Sequence, residues 1–204
     1  IVLIQMKQVI QIRCKNNKKS QKVEIGSTLF DIFSAFDLKM THGPVSARVN
    51  NKVEGMHYRV YNSKDVEFLD MTSSSGSRAY TRTLFFVLCK AVQDIYPATD
   101  VVIDIPVSNG FYVDIRLGRP VVDEDVNIIR RRMQEIIDAR MPIRRFTVPT
   151  EEAVALFQEK GDVEKVKLLK TSGSIYTTYY KIGDYVDYYY GTLLTNTSQL
   201  YLFG

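Results

Sequence analysis

The chain has 204 residues, 45% of them hydrophobic and 25% charged, enough for one large packed domain or two smaller ones and too apolar for a disordered or fibrous chain. Twenty-seven Lys and Arg against 23 Asp and Glu leave a formal charge of +4, so any attraction to nucleic acid must come from clustered cations rather than from net charge. Two distant cysteines, Cys14 and Cys89, fit no metal or redox spacing, and two histidines, His42 and His57, make no catalytic metal site alone, which excludes most zinc and triad enzymes.

The opening residues 1–12 are interrupted by Gln5, Lys7 and Gln8, unlike a secretory signal, and no apolar run reaches the roughly 18 residues of a membrane span. The expectation is a cytoplasmic chain with no membrane partner. Residues 9–14 alternate as a half-buried strand does, and a polar turn carrying Lys15, Lys18 and Lys19 leads to a second strand at 22–25, predicting a hairpin. Leu29, Ile32, Phe33 and Phe36 recur at helical spacing, so a short helix is expected over 28–36 with Ser27 as its cap and Asp31 in its first turn. Strands at 45–49 and 66–69 complete a small α+β unit ending near Asp70. The small polar run from Thr72 to Ser77 reads as a linker over 71–77 and lacks the spacing of a phosphate loop.

The second half opens with a helix predicted over 78–95, whose stripe of Leu84, Val87, Leu88, Ala91, Val92 and Ile95 marks a buried face before Pro97 stops it. Strands at 101–105 and 111–115 follow, then a helix over 123–139 with acids first and arginines later, in keeping with the helix dipole. Thr150 is the expected cap of a helix over 151–160 that Gly161 closes. Strands are expected at 166–169, 175–182, 185–190 and 200–203, and the stop after the last apolar strand suggests a fragment of something longer.

In this order the motifs resemble a β-grasp TGS domain over 1–70 followed, over 78–204, by the editing-type second additional domain of threonyl- and alanyl-tRNA synthetases. The first part rests on Glu24-Ile25-Gly26-Ser27-Thr28-Leu29, Ala47-Arg48-Val49-Asn50-Asn51-Lys52-Val53 and Asp65-Val66-Glu67-Phe68-Leu69. The second rests on Ala91-Val92-Gln93-Asp94-Ile95-Tyr96-Pro97, Ser108-Asn109-Gly110-Phe111-Tyr112-Val113-Asp114-Ile115, the helix from Glu151 to Phe157, and Tyr185-Val186-Asp187. The implied fold is α+β, with an antiparallel sheet and packed helices in the second domain. Editing domains of this type carry His-x-x-x-His and Cys-x-x-x-His; the corresponding positions here hold Arg82 and Phe86, and Tyr189 and Leu193. Arginine, phenylalanine and leucine offer no metal-ligating lone pair and a phenol ligates zinc poorly, so the resemblance implies a domain without the family's hydrolytic chemistry, with no catalytic residue and no metal.

Bacterial uridine or nucleoside kinases that carry this pair of domains before a P-loop domain are similar too, through Arg78-x-Tyr80-x-Arg82-Thr83-Leu84. That resemblance implies an accessory region beside a kinase domain of its own chain, where ATP and Mg²⁺ would act, with no cofactor in these residues. The other reading is a tRNA-binding module or trans-editing deacylase related to threonyl-tRNA synthetase. The resemblance would line a remnant cleft with Tyr80, Arg82, Asn109, Tyr112 and Tyr189, open to a nucleotide or small anion. For RNA contact the candidates are Lys18, Lys19, Arg130, Arg131, Arg140 and Arg144, since guanidinium and ammonium groups pair with phosphates. The bland alternatives are a solvated helix face for Arg130 to Arg132 and, for the tyrosines of the last strands, cross-strand packing.

Overall fold

A computed structural model describes residues 8–107, 110–201 and 203. Most of the opening segment and the positions of Ser108 and Asn109 lie outside the described residues. The chain divides into two compact units, Ile1–Thr83 with Thr192–Thr195, and Leu84–Gly191 with Asn196–Gly204.

In the first unit β1 (Val9–Cys14) and β2 (Ser20–Glu24) form the expected antiparallel hairpin, with Val9 opposite Glu24. The helix α1 (Leu29–Ala35) follows, and β3 (Ser46–Val49), β4 (Lys52–Gly55) and β5 (Lys64–Leu69) complete a mixed sheet of order β2-β1-β5-β3-β4, in which β1 and β5 run parallel. This is the order of elements of a β-grasp, with one helix against a sheet made of two hairpin-like pairs. Thr28, rather than Ser27, caps α1: its Oγ1 accepts from the Asp31 amide at 3.1 Å while Asp31 accepts from the Thr28 amide at 2.9 Å. Alternate residues Ile12 and Cys14, Ala47 and Val49, and Val66 and Phe68 point into one core with Leu29 and Ile32. Strand β4 was not anticipated, because Lys52-Val53-Glu54-Gly55 has no apolar alternation and is held as a strand by pairing with β3.

Helix α2 (Ser74–Ile95) begins inside the stretch expected to be a linker. The Ser73 hydroxyl accepts from the Gly76 amide at 3.1 Å, and a Cβ on Gly76 would meet the Asp70 carbonyl oxygen at 1.9 Å, so the small polar residues permit a tight helix start rather than a flexible tether. Among the described residues no helix is long and apolar enough to cross a membrane.

The second unit contains the hairpin β6 (Val101–Val107) and β7 (Gly110–Ile115), then α3 (Asp123–Asp138), β8 (Arg144–Pro149), α4 (Thr150–Glu159), α5 (Val163–Thr171), β9 (Tyr176–Ile182) and β10 (Tyr185–Tyr188). Strands β10, β9 and β8 form an antiparallel sheet in that order. Ala153, Phe157, Leu169 and Val186 are buried together beneath it, with Tyr179 and Tyr188 packed alongside. The protein is therefore α+β in both units.

Three expectations are corrected here. Residues 166–169 are helical within α5, because Asp162 caps the turn by accepting from the Lys165 amide at 3.0 Å and Val166 and Leu169 share one helix face. Residues 200 and 201 are not strand; a single 3-10 turn, Thr197–Gln199, precedes them. Thr150 does not cap α4, since its hydroxyl donates to the Ser174 carbonyl at 2.6 Å instead.

Candidate functional site

The second unit carries a cleft of about 550 Å³ between the last turns of α2, residues 98–102, the α4–α5 junction and the start of β10. Local sequence places its polar floor. Gly161, with φ of +76°, lets the chain turn between α4 and α5, and Asp162 then caps α5 so that Lys165 projects one turn later beside it. On β10 the two-residue period puts Tyr185 and Asp187 on one face. Lys165 Nζ lies 2.8 Å from both an Asp162 and an Asp187 carboxylate oxygen. The Tyr185 hydroxyl donates to the other Asp187 oxygen at 2.7 Å, and the Tyr188 amide donates to Asp187 at 2.6 Å. Lys165 Nζ also stands 5.7 Å from the centre of the Phe157 ring.

The electrostatics favour holding over reacting. Burial opposes the Lys165 charge, but the Asp187 and Asp162 carboxylates outweigh it and raise the lysine above its ordinary value, so it stays an ammonium. Burial, then the Asp187 charge, pushes the Cys89 thiol up to about 12. The same two causes raise Tyr185, and burial with the neighbouring Cys89 raises Tyr189. At neutral pH this group therefore presents a fixed ammonium, two carboxylates paired with it, the neutral phenol of Tyr185 and an unionised thiol. None of these is a poised nucleophile or free base, whereas together they offer donors and acceptors to a polar ligand.

The residues proposed from resemblance are placed differently. In the first unit Tyr80 is buried and Arg82 half-buried. In the second, Tyr112 stands 60% exposed on β7, and Tyr189 packs edge-on against Phe86 with ring centres 5.7 Å apart. Thus Phe86 and Tyr189, two of the four positions where the resemblance would put reactive groups, are filled by an aromatic contact. Neither Tyr112 nor Tyr189 lines the cleft, and Asn109 lies outside the described residues. Among the RNA candidates, Lys18 adopts φ of +60° in the β1–β2 turn and, like Lys19, is exposed. Arg130 and Arg131 are exposed on α3, while Arg132 is engaged with Asp94 at 2.9 Å and with Glu135 at 2.8 Å. Arg140 follows α3 with φ of +50°, and Arg144 begins β8.

Sequence reasoning missed Lys165, Asp162 and Cys89 as a group with Tyr185 and Asp187. The available signal was Gly161-Asp162 followed three residues later by Lys165, a capped helix start that a strand reading of 166–169 conceals.

No protein-family model matches the chain. It is 30% identical over 193 residues to the threonine–tRNA ligase of Clostridium kluyveri, which covers 94% of this chain and 30% of that protein. The threonine–tRNA ligase of Acetivibrio thermocellus is 28% identical over 196 residues, 96% of this chain and 31% of that one. That of Clostridioides difficile is 28% identical over 181 residues, 88% of this chain and 28% of its own. The chain is thus threonine–tRNA-ligase-like over nearly its whole length and spans about a third of the length of these curated relatives. These relatives lend no support to the nucleoside-kinase parentage expected from Arg78-x-Tyr80-x-Arg82 or to a kinase-domain partner.

Proposed function

We propose that this chain is a tRNA-binding region of threonyl-tRNA-synthetase type, with a TGS-like module over 1–70 and an editing-like module over 78–204, that holds part of a tRNA without hydrolysing an ester. The observation that carries this reading is the similarity to threonine–tRNA ligases across nearly the whole chain. The chemistry of the cleft agrees with it. Lys165 bridges Asp162 and Asp187, leaving one net negative charge, and Cys89 and Tyr185 remain protonated, so the walls recognise hydroxyl and amine groups such as those at the end of an aminoacylated RNA. Activation of a water or an attack on an ester would need a base near its working pH, which the Lys165–Asp162–Asp187 group, Cys89 and Tyr185 do not supply.

Two assays on residues 1–204 test the reading. Filter binding at low salt is expected to detect complex formation with threonine-type tRNA, and mischarged tRNA is expected to survive incubation with the chain at its spontaneous rate. Absence of tRNA binding overturns the proposal outright. Deacylation abolished by Asp187→Asn or Lys165→Met would replace it with a trans-editing deacylase.

A further inference from the structure

Strand β8 is the edge of the three-stranded sheet, and its register sets Arg144 directly opposite Lys181 of β9. Like charges facing each other across an antiparallel pair repel, and this pair is exposed. Neither cation makes an ion pair among the described residues, nor do Arg140 and Arg145. Strand β9 carries no acid; Asp184, in the turn after it, is engaged by Lys90 Nζ at 2.9 Å, and Lys160 Nζ approaches the Asp184 carbonyl at 3.3 Å, which adds a further ammonium at the same turn. The backbone that carries the arginines is fixed. Asn196 Nδ2 donates to the Arg140 carbonyl at 2.8 Å, and Pro142 and Asn196 form an antiparallel bridge. By contrast, other cations of this unit are spent internally, Arg119 on Asp125 and Arg132 on Asp94.

We propose that the β8–β9 edge, through Arg140, Arg144, Arg145 and Lys181, binds the phosphate backbone of an RNA. A polyanion relieves the repulsion that the fold itself leaves uncompensated, and guanidinium groups on a preformed strand match phosphate oxygens at little ordering cost. On the opposite face of the same edge, which Arg145 shares, the hydroxyls of Thr147 and Thr178, 2.9 Å apart, supply the neutral donors that usually accompany such cations on a sugar-phosphate chain. Charges on a sheet edge also deter aggregation, but that role is served equally by carboxylates, which gives the test its contrast.

The inference rests on the tRNA reading for the identity of the RNA, and its test separates the two. The full chain and the variants Lys181→Glu, Arg144→Glu/Lys181→Glu and Lys39→Glu are titrated over a salt series with a threonine-type tRNA transcript, a plain RNA duplex and phosphatidylserine vesicles. Lys39→Glu changes net charge as Lys181→Glu does, at an exposed position of the first unit. Expected is a severalfold weaker RNA affinity for Lys181→Glu, with the slope of log affinity against log salt shallower by about one, and by about two for the double variant. Lys39→Glu is expected to leave the slope unchanged. Lys181→Glu replaces repulsion by a cross-strand pair, so its Tm is expected to rise by roughly 1–2 °C while affinity falls, a combination that misfolding cannot produce. Slopes equal to that of Lys39→Glu with tRNA still bound overturn the surface and leave the tRNA reading standing. Duplex bound with the expected slopes but tRNA no better overturns the tRNA reading and keeps the surface. Preference for vesicles over both RNAs, or no RNA binding at all, overturns the surface.

Discussion

Cys89 shows how a single environment decides the chemistry of a side chain. A thiol near 8.5 would be about a quarter ionised at pH 8, but at a value of about 12 it is essentially all thiol. Neither cysteine of the native chain should therefore react appreciably with a disulfide reagent within minutes at pH 8, Cys14 because it is fully buried and Cys89 because it is not a thiolate. Asp187→Asn removes the neighbouring negative charge and is expected to speed labelling of Cys89 severalfold. Rapid labelling of one thiol in the unmutated chain would contradict the description of the cleft. Ser46 is a second case: its hydroxyl oxygen is buried without a hydrogen-bond partner among the described residues. Ser46→Ala should then be neutral or stabilising by up to about 1 kcal/mol in urea unfolding, since it removes an unsatisfied polar atom.

At the level of elements, α3 is organised by one carboxylate. Arg119 first, then the Tyr96 hydroxyl and the Val122 amide, hold the Asp125 carboxyl well below the usual carboxylate range. The distances are short, 2.6 and 2.7 Å to Arg119, 2.6 Å to Tyr96 and 3.0 Å to Val122. A depressed folded value means that the unfolded state takes up the proton first, near 3.9, so the stabilisation is present above that pH and lost as pH falls below it. Thermal melts between pH 2 and 5 should show a steep acid limb that Asp125→Asn flattens, together with a lower Tm for the variant at pH 7. An identical acid limb in both proteins would sink this account. The elements themselves differed in how far local pattern revealed them. Helix α3 was legible end to end because the acids of its first turn and its apolar spacing agree. Helix α5 was not, because nine residues with three valines and leucines at 166–169 satisfy a strand pattern until the Asp162 cap is seen in place.

Across the whole molecule each unit has its own packed centre, one around Phe68 and Ile32, the other around Phe157 and Leu169. Phe68 is 2% exposed with Phe33 edge-on at 5.1 Å, and Phe157 is 1% exposed with Tyr179 at 6.5 Å. Truncation of either ring to alanine is expected to cost about 3–5 kcal/mol. Hydrogen exchange should quicken in β1, β3 and β5 for Phe68→Ala and in α4, α5 and β9 for Phe157→Ala. The opposite distribution would contradict the assignment of these rings to separate cores. Tyr80 and Arg82 lie in the first unit while the polar cleft belongs wholly to the second.

Residue order alone carried the α+β class, the first hairpin, the short helix after it and the long helices, because each depends on contacts within a few positions. The grouping of Lys165 with Asp162, Asp187, Tyr185 and Cys89, and the meeting of Arg144 with Lys181, arose only on folding. Charges interact through space over a few ångströms, and strand register and helix docking bring together residues that lie 22 to 98 positions apart along the chain, Lys165 with Asp187 and Cys89 with Asp187.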